Sequence, residues 1–264
     1  MKANWQSFVG AIVLALLTSN VRAHDTWVQT NTNLFRVGDA VHIDLMLGNH
    51  GNEHRDYKLA SKVALDGCSL KVHTPSGKSY DLKDRLVDTG YTPKEGFWTT
   101  RFATAEPGLY LVEHSVDKVV NHGKPVRSIK SAKTAFVASK SLDNVPSENR
   151  GHDRVCGHAL ELIPASNPVT PMGPGQKMFV RLLLKGKPLA DTQVSFIPRS
   201  ETLTEKFDDR YERMTDANGL ASFTPKSGDY YLVVAHHKAA DEKGDDYSPQ
   251  HGQTSGTKTV SVAE

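Results

Sequence analysis

Ala40-Val-His-Ile-Asp-Leu-Met-Leu47 alternates apolar and polar side chains with a period of two, and Val37-Gly38-Asp39 before it supplies a turn. That is the signature of a half-buried β-strand. The same pattern recurs downstream. Ser69-Leu-Lys-Val-His73 runs into the turn Thr74-Pro-Ser-Gly77 and then Ser79-Tyr-Asp-Leu82. Gly96-Phe-Trp-Thr-Thr-Arg-Phe102 and Gly108-Leu-Tyr-Leu-Val-Glu-His114 flank Ala105-Glu-Pro-Gly108, where proline presets a turn dihedral. Lys133-Thr-Ala-Phe-Val137 closes this first unit, which contains no helical periodicity.

Residues 140–175 are rich in Pro, Asn, Gly and Ser, and read as a junction with one short strand, Leu160-Glu-Leu-Ile163, inside it. A second β unit follows. Met178-Phe-Val-Arg-Leu-Leu-Leu184, the turn Lys185-Gly-Lys-Pro188 and Gln193-Val-Ser-Phe-Ile197 open it. Asp216-Ala-Asn-Gly219 brings hairpin chemistry, and Tyr230-Tyr-Leu-Val-Val-Ala235 and Thr257-Lys-Thr-Val-Ser-Val262 complete it. The expected fold is therefore all-β, with two tandem immunoglobulin-like or transthyretin-like β-sandwiches. The first spans 24–140, the junction 141–171 and the second 172–264.

The first 23 residues predict a cleavable signal peptide. Lys2 gives the positive n-region, Phe8–Leu17 the apolar run, and Val21-Arg22-Ala23 the small residues before the cut. A run of ten falls well short of the roughly twenty residues that span a bilayer. No cysteine follows it to carry a lipid, and no second apolar run appears later. The expected location is periplasmic or secreted, with no membrane span after cleavage.

The chain carries 32 Lys+Arg against 30 Asp+Glu, and Lys2 and Arg22 fall in the signal, which leaves 30 against 30. A balanced body gives no reason to expect nucleic acid or anionic lipid as a partner. Cys68 and Cys156 are either one disulfide or two separate thiols, and the sequence leaves both open. The unusual count is histidine, at twelve, all after the signal.

Cleavage after Ala23 would make His24 the terminal residue. Its α-amine and imidazole Nδ1 could then close one chelate ring on a metal ion, both being donors of reference pKa about 7.7–8.0 and 6.5. His50 and His54 share a loop with Glu53 after the strand at 40–47. Of the pair His236-His237, alternation allows only one ring to join a given site. His114 and His122 rank next as candidates, His158 suits the junction, and His42 and His73 read as solvent-face strand positions. Imidazole and amine donors suit Ni, Co, Cu or Zn ions better than Ca or Mg ions. No G-x-S-x-G, H-E-x-x-H or glycine-rich phosphate loop is present, so a binding protein is expected rather than an enzyme. The enzymatic alternative is a copper oxidase-type site on an N-terminal histidine. A third alternative is a metal-free carbohydrate-binding or adhesive module.

His24-Asp-Thr-Trp27, Gly48-Asn-His50, Cys156-Gly-His-Ala-Leu-Glu-Leu-Ile-Pro164, Lys185-Gly-Lys-Pro-Leu189 and Tyr231-Leu-Val-Val-Ala-His236 occur in that order. With them the chain resembles the bacterial exported proteins associated with nickel uptake and cobalt/nickel transport, which share a domain of unknown function. That resemblance implies nickel or cobalt as the metal, an inner-membrane permease as partner, and His236 as the ligand of the His236-His237 pair. Together with the readings of the residues themselves, the expected ligand set is His24, His50, His54, His114 and His236.

Overall fold

Strands with alternating side chains form sheets that can bury a face, and the described part of this chain contains eighteen strands. The computed structural model describes residues 24–51, 54–121, 125–204, 206–239 and 252–262, with backbone alone at 49–51, 54, 57 and 252–262. The expected signal peptide at 1–23 and His122 lie outside the described residues.

In chain order the first unit contains β1 (His24–Thr30), β2 (Leu34–Arg36), β3 (Ala40–Gly51), β4 (His54–Ser61), β5 (Cys68–His73), β6 (Ser79–Asp81), β7 (Val87–Asp88), β8 (Trp98–Ala103), β9 (Gly108–Asn121) and β10 (Pro125–Ser139). After it come β11 (Leu160–Pro164), β12 (Met178–Leu184), β13 (Lys187–Pro188), β14 (Gln193–Pro198), β15 (Glu212–Met214), β16 (Leu220–Phe223), β17 (Asp229–Ala239) and β18 (Gly252–Val262). The fold is all-β. No helix among the described residues is long and apolar enough to cross a membrane.

One sheet runs β1-β3-β8-β7, with β4 also on β3. A smaller one pairs β11, β13 and β16 with β12. Between them stands a nine-stranded sheet, β15-β14-β17-β18-β10-β9-β5-β6, with β2 on β10. This sheet is continuous across both halves of the chain, because β18 pairs antiparallel with β17 and parallel with β10. Val28, Ile43, Leu45, Leu70, Tyr110, Val112 and Phe136 fill the first core. Leu160, Leu182, Phe196, Phe223, Tyr231 and Val233 fill the second.

Two local readings change. Leu160–Ile163, expected as one short strand inside the junction, extends to Pro164, pairs along its length with Val180–Leu184 and forms part of the second unit's smaller sheet. Its five residues are all buried, which a free linker strand would not be. His73, expected on a solvent face, is buried, whereas His42 is exposed as expected. The turn at Lys185-Gly186 follows its chemistry: both residues have positive φ, 50° and 77°, as a two-residue hairpin loop requires.

The two units meet along polar and apolar contacts. Trp27 and Met46 pack on Ile197, Leu203, Leu232 and Val234, so β1 lies against β17. Gly48 makes room for this: a Cβ there would stand 2.4 Å from the Trp27 ring and 2.3 Å from the Lys58 carbonyl oxygen. Buried Arg55 pairs with buried Glu212 across the same interface. Lys133 of β10 pairs with Glu161 of β11, their side chains 2% and 1% exposed. Lys133 Nζ also donates to the Arg154 carbonyl at 2.9 Å.

Removing one member of a buried pair strands the other charge in a medium that solvates it poorly. Lys133→Met is therefore expected to lower unfolding stability by about 3–5 kcal/mol. Denaturant unfolding of the variant beside the parent protein checks this, and a loss under about 1 kcal/mol would contradict it.

Candidate metal centres

Strand alternation decides which side chains meet. On β9, Tyr110, Val112, His114 and Val116 turn inward to the first core, while Leu109, Leu111 and Glu113 turn toward the second unit. Cys68 shares the inner face, packing in the first core, and its Sγ lies 3.4 Å from His114 Nδ1. Cys156 packs beside Leu109 and Leu111 on the other face. The sheet separates the two thiols, and both are free, so the disulfide reading does not hold. Burial pushes the Cys68 thiol up to about 11 and the Cys156 thiol to about 12.

The first centre lies at the start of β1. Asp25 is 1% exposed, and its carboxylate oxygens accept from His236 Nε2 at 2.9 and 3.1 Å. The pair forms because Asp25 and Trp27 share the face of β1 that meets Leu232, Val234 and His236 on β17. His24 precedes Asp25, and its carbonyl accepts from Lys130 Nζ. Burial lowers Lys130 to about 8, although Asp25 opposes the shift.

The expected ligands distribute unevenly around this end. Of the expected ligands, His236 meets Asp25, the residue after His24 on β1, while strand alternation turns the His24 side chain to the opposite face from Asp25. In register His24 faces Asn49, so the backbone of His50 lies one residue beyond; His54 pairs with Gly51. The side chains of His50 and His54 lie outside the described residues. His114 is fully buried, and its Nδ1 donates to the Ser69 carbonyl at 2.8 Å. Its Nε2 has no hydrogen-bond partner among the described residues. His237, next to His236, is half-buried.

The second centre was not legible as a set. His73 from β5, Glu113 from β9 and Cys156 from the loop before β11 bring one ligand atom each within 4.8 Å of one another. Cys156, His158 and Glu161 do the same. His73 Nε2 stands 3.3 Å from Glu113 Oε1, and His158 Nε2 stands 3.7 Å from Glu113 Oε2. Burial alone would raise the Glu113 carboxyl, but its contacts with His73 and the Cys156 thiol, and the charges of His73 and His158, hold it near 2. Burial pushes His158 below the usual imidazole value, against the attraction of Glu161 and Glu113. The available signal was Glu113, a carboxylate in phase with Leu109 and Leu111 on one strand face, since an acid on an apolar face needs a partner.

His114 has a pH consequence. Burial, together with the nearby charges of His158 and Lys130, holds its imidazole near 4, although the Ser69 contact opposes the shift. An unfolded histidine titrates near 6.5. Between those values the unfolded chain takes up a proton that the native protein refuses, so stability falls as pH drops from about 6.5 to 4, by roughly 3 kcal/mol at most. Glu113 acts in a lower window, its contribution fading from about 4.5 toward 2. His114→Leu is expected to reduce the slope in the upper window, to which His158 also contributes, and to leave the lower window unchanged in unfolding curves taken at several pH values. An unchanged slope there would refute the assignment.

Comparison with known proteins adds a family. The model for a domain of unknown function, DUF4198, matches residues 21–239. Among solved structures, the D0-D1 domain of intimin is 14% identical, with 92% of this chain and 100% of that chain covered and a TM-score of 0.23. A DUF4785 family protein from Legionella pneumophila subsp. pneumophila str. Philadelphia 1 is 13% identical, over 79% of this chain and 52% of that one, with a TM-score of 0.28. The fibronectin(III)-like modules of Clostridium thermocellum CbhA are 12% identical, over 89% and 95%, with a TM-score of 0.20. No curated protein matches the chain.

Proposed function

The chain belongs to the DUF4198 family, a domain of unknown function, and from that premise we propose that it is an exported metal-binding protein holding nickel or cobalt at the start of β1. Release of the signal peptide turns His24 into a terminal residue with two nitrogen donors on one chelate ring. His236, oriented by Asp25, adds a further nitrogen donor, and the ion is handed on to a membrane permease. No catalytic step is assigned.

The observation that supports this reading is the buried Asp25 carboxylate on His236 Nε2. A carboxylate can only accept, so Nε2 carries the proton and the ring's lone pair resides on Nδ1. Carboxylates set the tautomer and orientation of metal-binding imidazoles in this way. The nitrogen-rich set favours late first-row ions over Ca or Mg ions. Donor type alone would favour copper, and nickel or cobalt follows from the resemblance to uptake proteins.

Calorimetric titration with Ni(II), at one pH and in a weakly coordinating buffer, tests the reading. Protein beginning at His24 is expected to bind more tightly than the same protein with one extra N-terminal residue, whose His24 nitrogen is an amide. His24→Ala and His236→Ala are expected to weaken binding, and His42→Ala, on an exposed strand face, to leave it unchanged. Equal affinity in all five proteins would overturn the proposal.

A further inference from the structure

We propose that His73, Glu113, Cys156 and His158 form a second binding site for a divalent transition-metal ion of zinc type, buried at the junction and independent of the N-terminal histidine. Three segments converge on it. β5 brings His73, β9 brings Glu113, and the loop entering β11 brings Cys156 and His158.

The polar atoms at this place are the second observation. His73 Nε2, Glu113 Oε2 and His158 Nε2 are all buried and make no well-formed hydrogen bond among the described residues, their nearest polar neighbours being one another, with Glu113 3.3 Å from His73 and 3.7 Å from His158. The His73 and Glu113 side chains are only 8% and 9% exposed. Buried polar atoms are almost always satisfied, and an ion at the centre of this group would supply the partner that these three atoms lack. Residual access comes from the loop side, where Cys156 and His158 are only partly buried.

Glu161 does not belong to the ligand set. Its Oε1 accepts from Lys133 Nζ and from the Cys156 amide at 2.6 Å. Its Oε2 accepts from the Gly157 and His158 amides at 3.0 and 3.2 Å. The carboxylate is thereby occupied in shaping the loop that presents Cys156 and His158. It is a positioning group.

The remaining donors, two imidazole nitrogens, a sulfur and a carboxylate oxygen, match a four-coordinate zinc-type centre and not a calcium or magnesium one. Charge agrees as well. On binding, the Cys156 S–H bond breaks, its proton leaves to solvent, and the sulfur donates its electron pair to the ion. The thiolate and the Glu113 carboxylate then neutralise the divalent charge, so no net charge is buried.

Cobalt(II) is the probe, added to reduced protein beginning at His24. The expected result is a thiolate-to-cobalt charge-transfer band, abolished by added Zn(II). The band should persist in His24→Ala and in Cys68→Ala, and vanish in Cys156→Ser. Persistence in His24→Ala separates this site from the proposed N-terminal one. No band in the parent protein, or a band that survives Cys156→Ser, would overturn the inference. If Cys156→Ser folds poorly, His158→Gln decides it: cobalt affinity reduced about tenfold or more supports the site, and unchanged affinity overturns it.

Discussion

Lys133 and Glu161 meet where neither reaches water, and much of the molecule's arrangement follows from that meeting. Each charge would be costly alone at such depth. Lys133 is offset by Glu161 and the Arg154 carbonyl, while Glu161 also receives three backbone amides from residues 156–158. The pair thus joins β10 of the first unit to β11 of the second. It also fixes the loop that carries Cys156 and His158 against β5 and β9. Ser131, two residues before Lys133 and on the same face, reinforces the join by donating to the Leu160 carbonyl at 2.7 Å.

A second join, between β1 and β17, positions the other candidate centre. Trp27 fits against the β17 face only because Gly48 carries no side chain. Two residues earlier on the same face of β1, Asp25 reaches His236. The Gly48 of the motif Gly48-Asn-His50 therefore has a packing role that the sequence does not announce. The first two strand residues, His24 and Asp25, are set by apolar contacts further along the strand.

Much of the fold was legible because periodicity of two is a local property. Ala40–Leu47, Gly108–His114 and Met178–Leu184 each fall inside a strand, and the Lys185-Gly186 turn has the dihedrals its position demands. The pairing of β18 with β10 was not legible, since strand order depends on contacts over a hundred residues apart. The candidate sites divide the same way. Alternation correctly admits one of His236 and His237 to the face that meets β1, yet it placed His73 in solvent. Whether a polar strand face is wet depends on what covers it, and here that cover is the 156–158 loop, distant in sequence. Glu113 and Cys156 were missed for the same reason.

Both centres rest on one claim: that this is a protein built to hold a transition-metal ion. Elemental analysis of protein purified from its native compartment without chelators, with its N-terminal residue sequenced in the same preparation, tests that claim most directly. The account predicts a chain beginning at His24 that carries nickel or cobalt in stoichiometric amount. A chain beginning at His24 that carries no transition metal would contradict it.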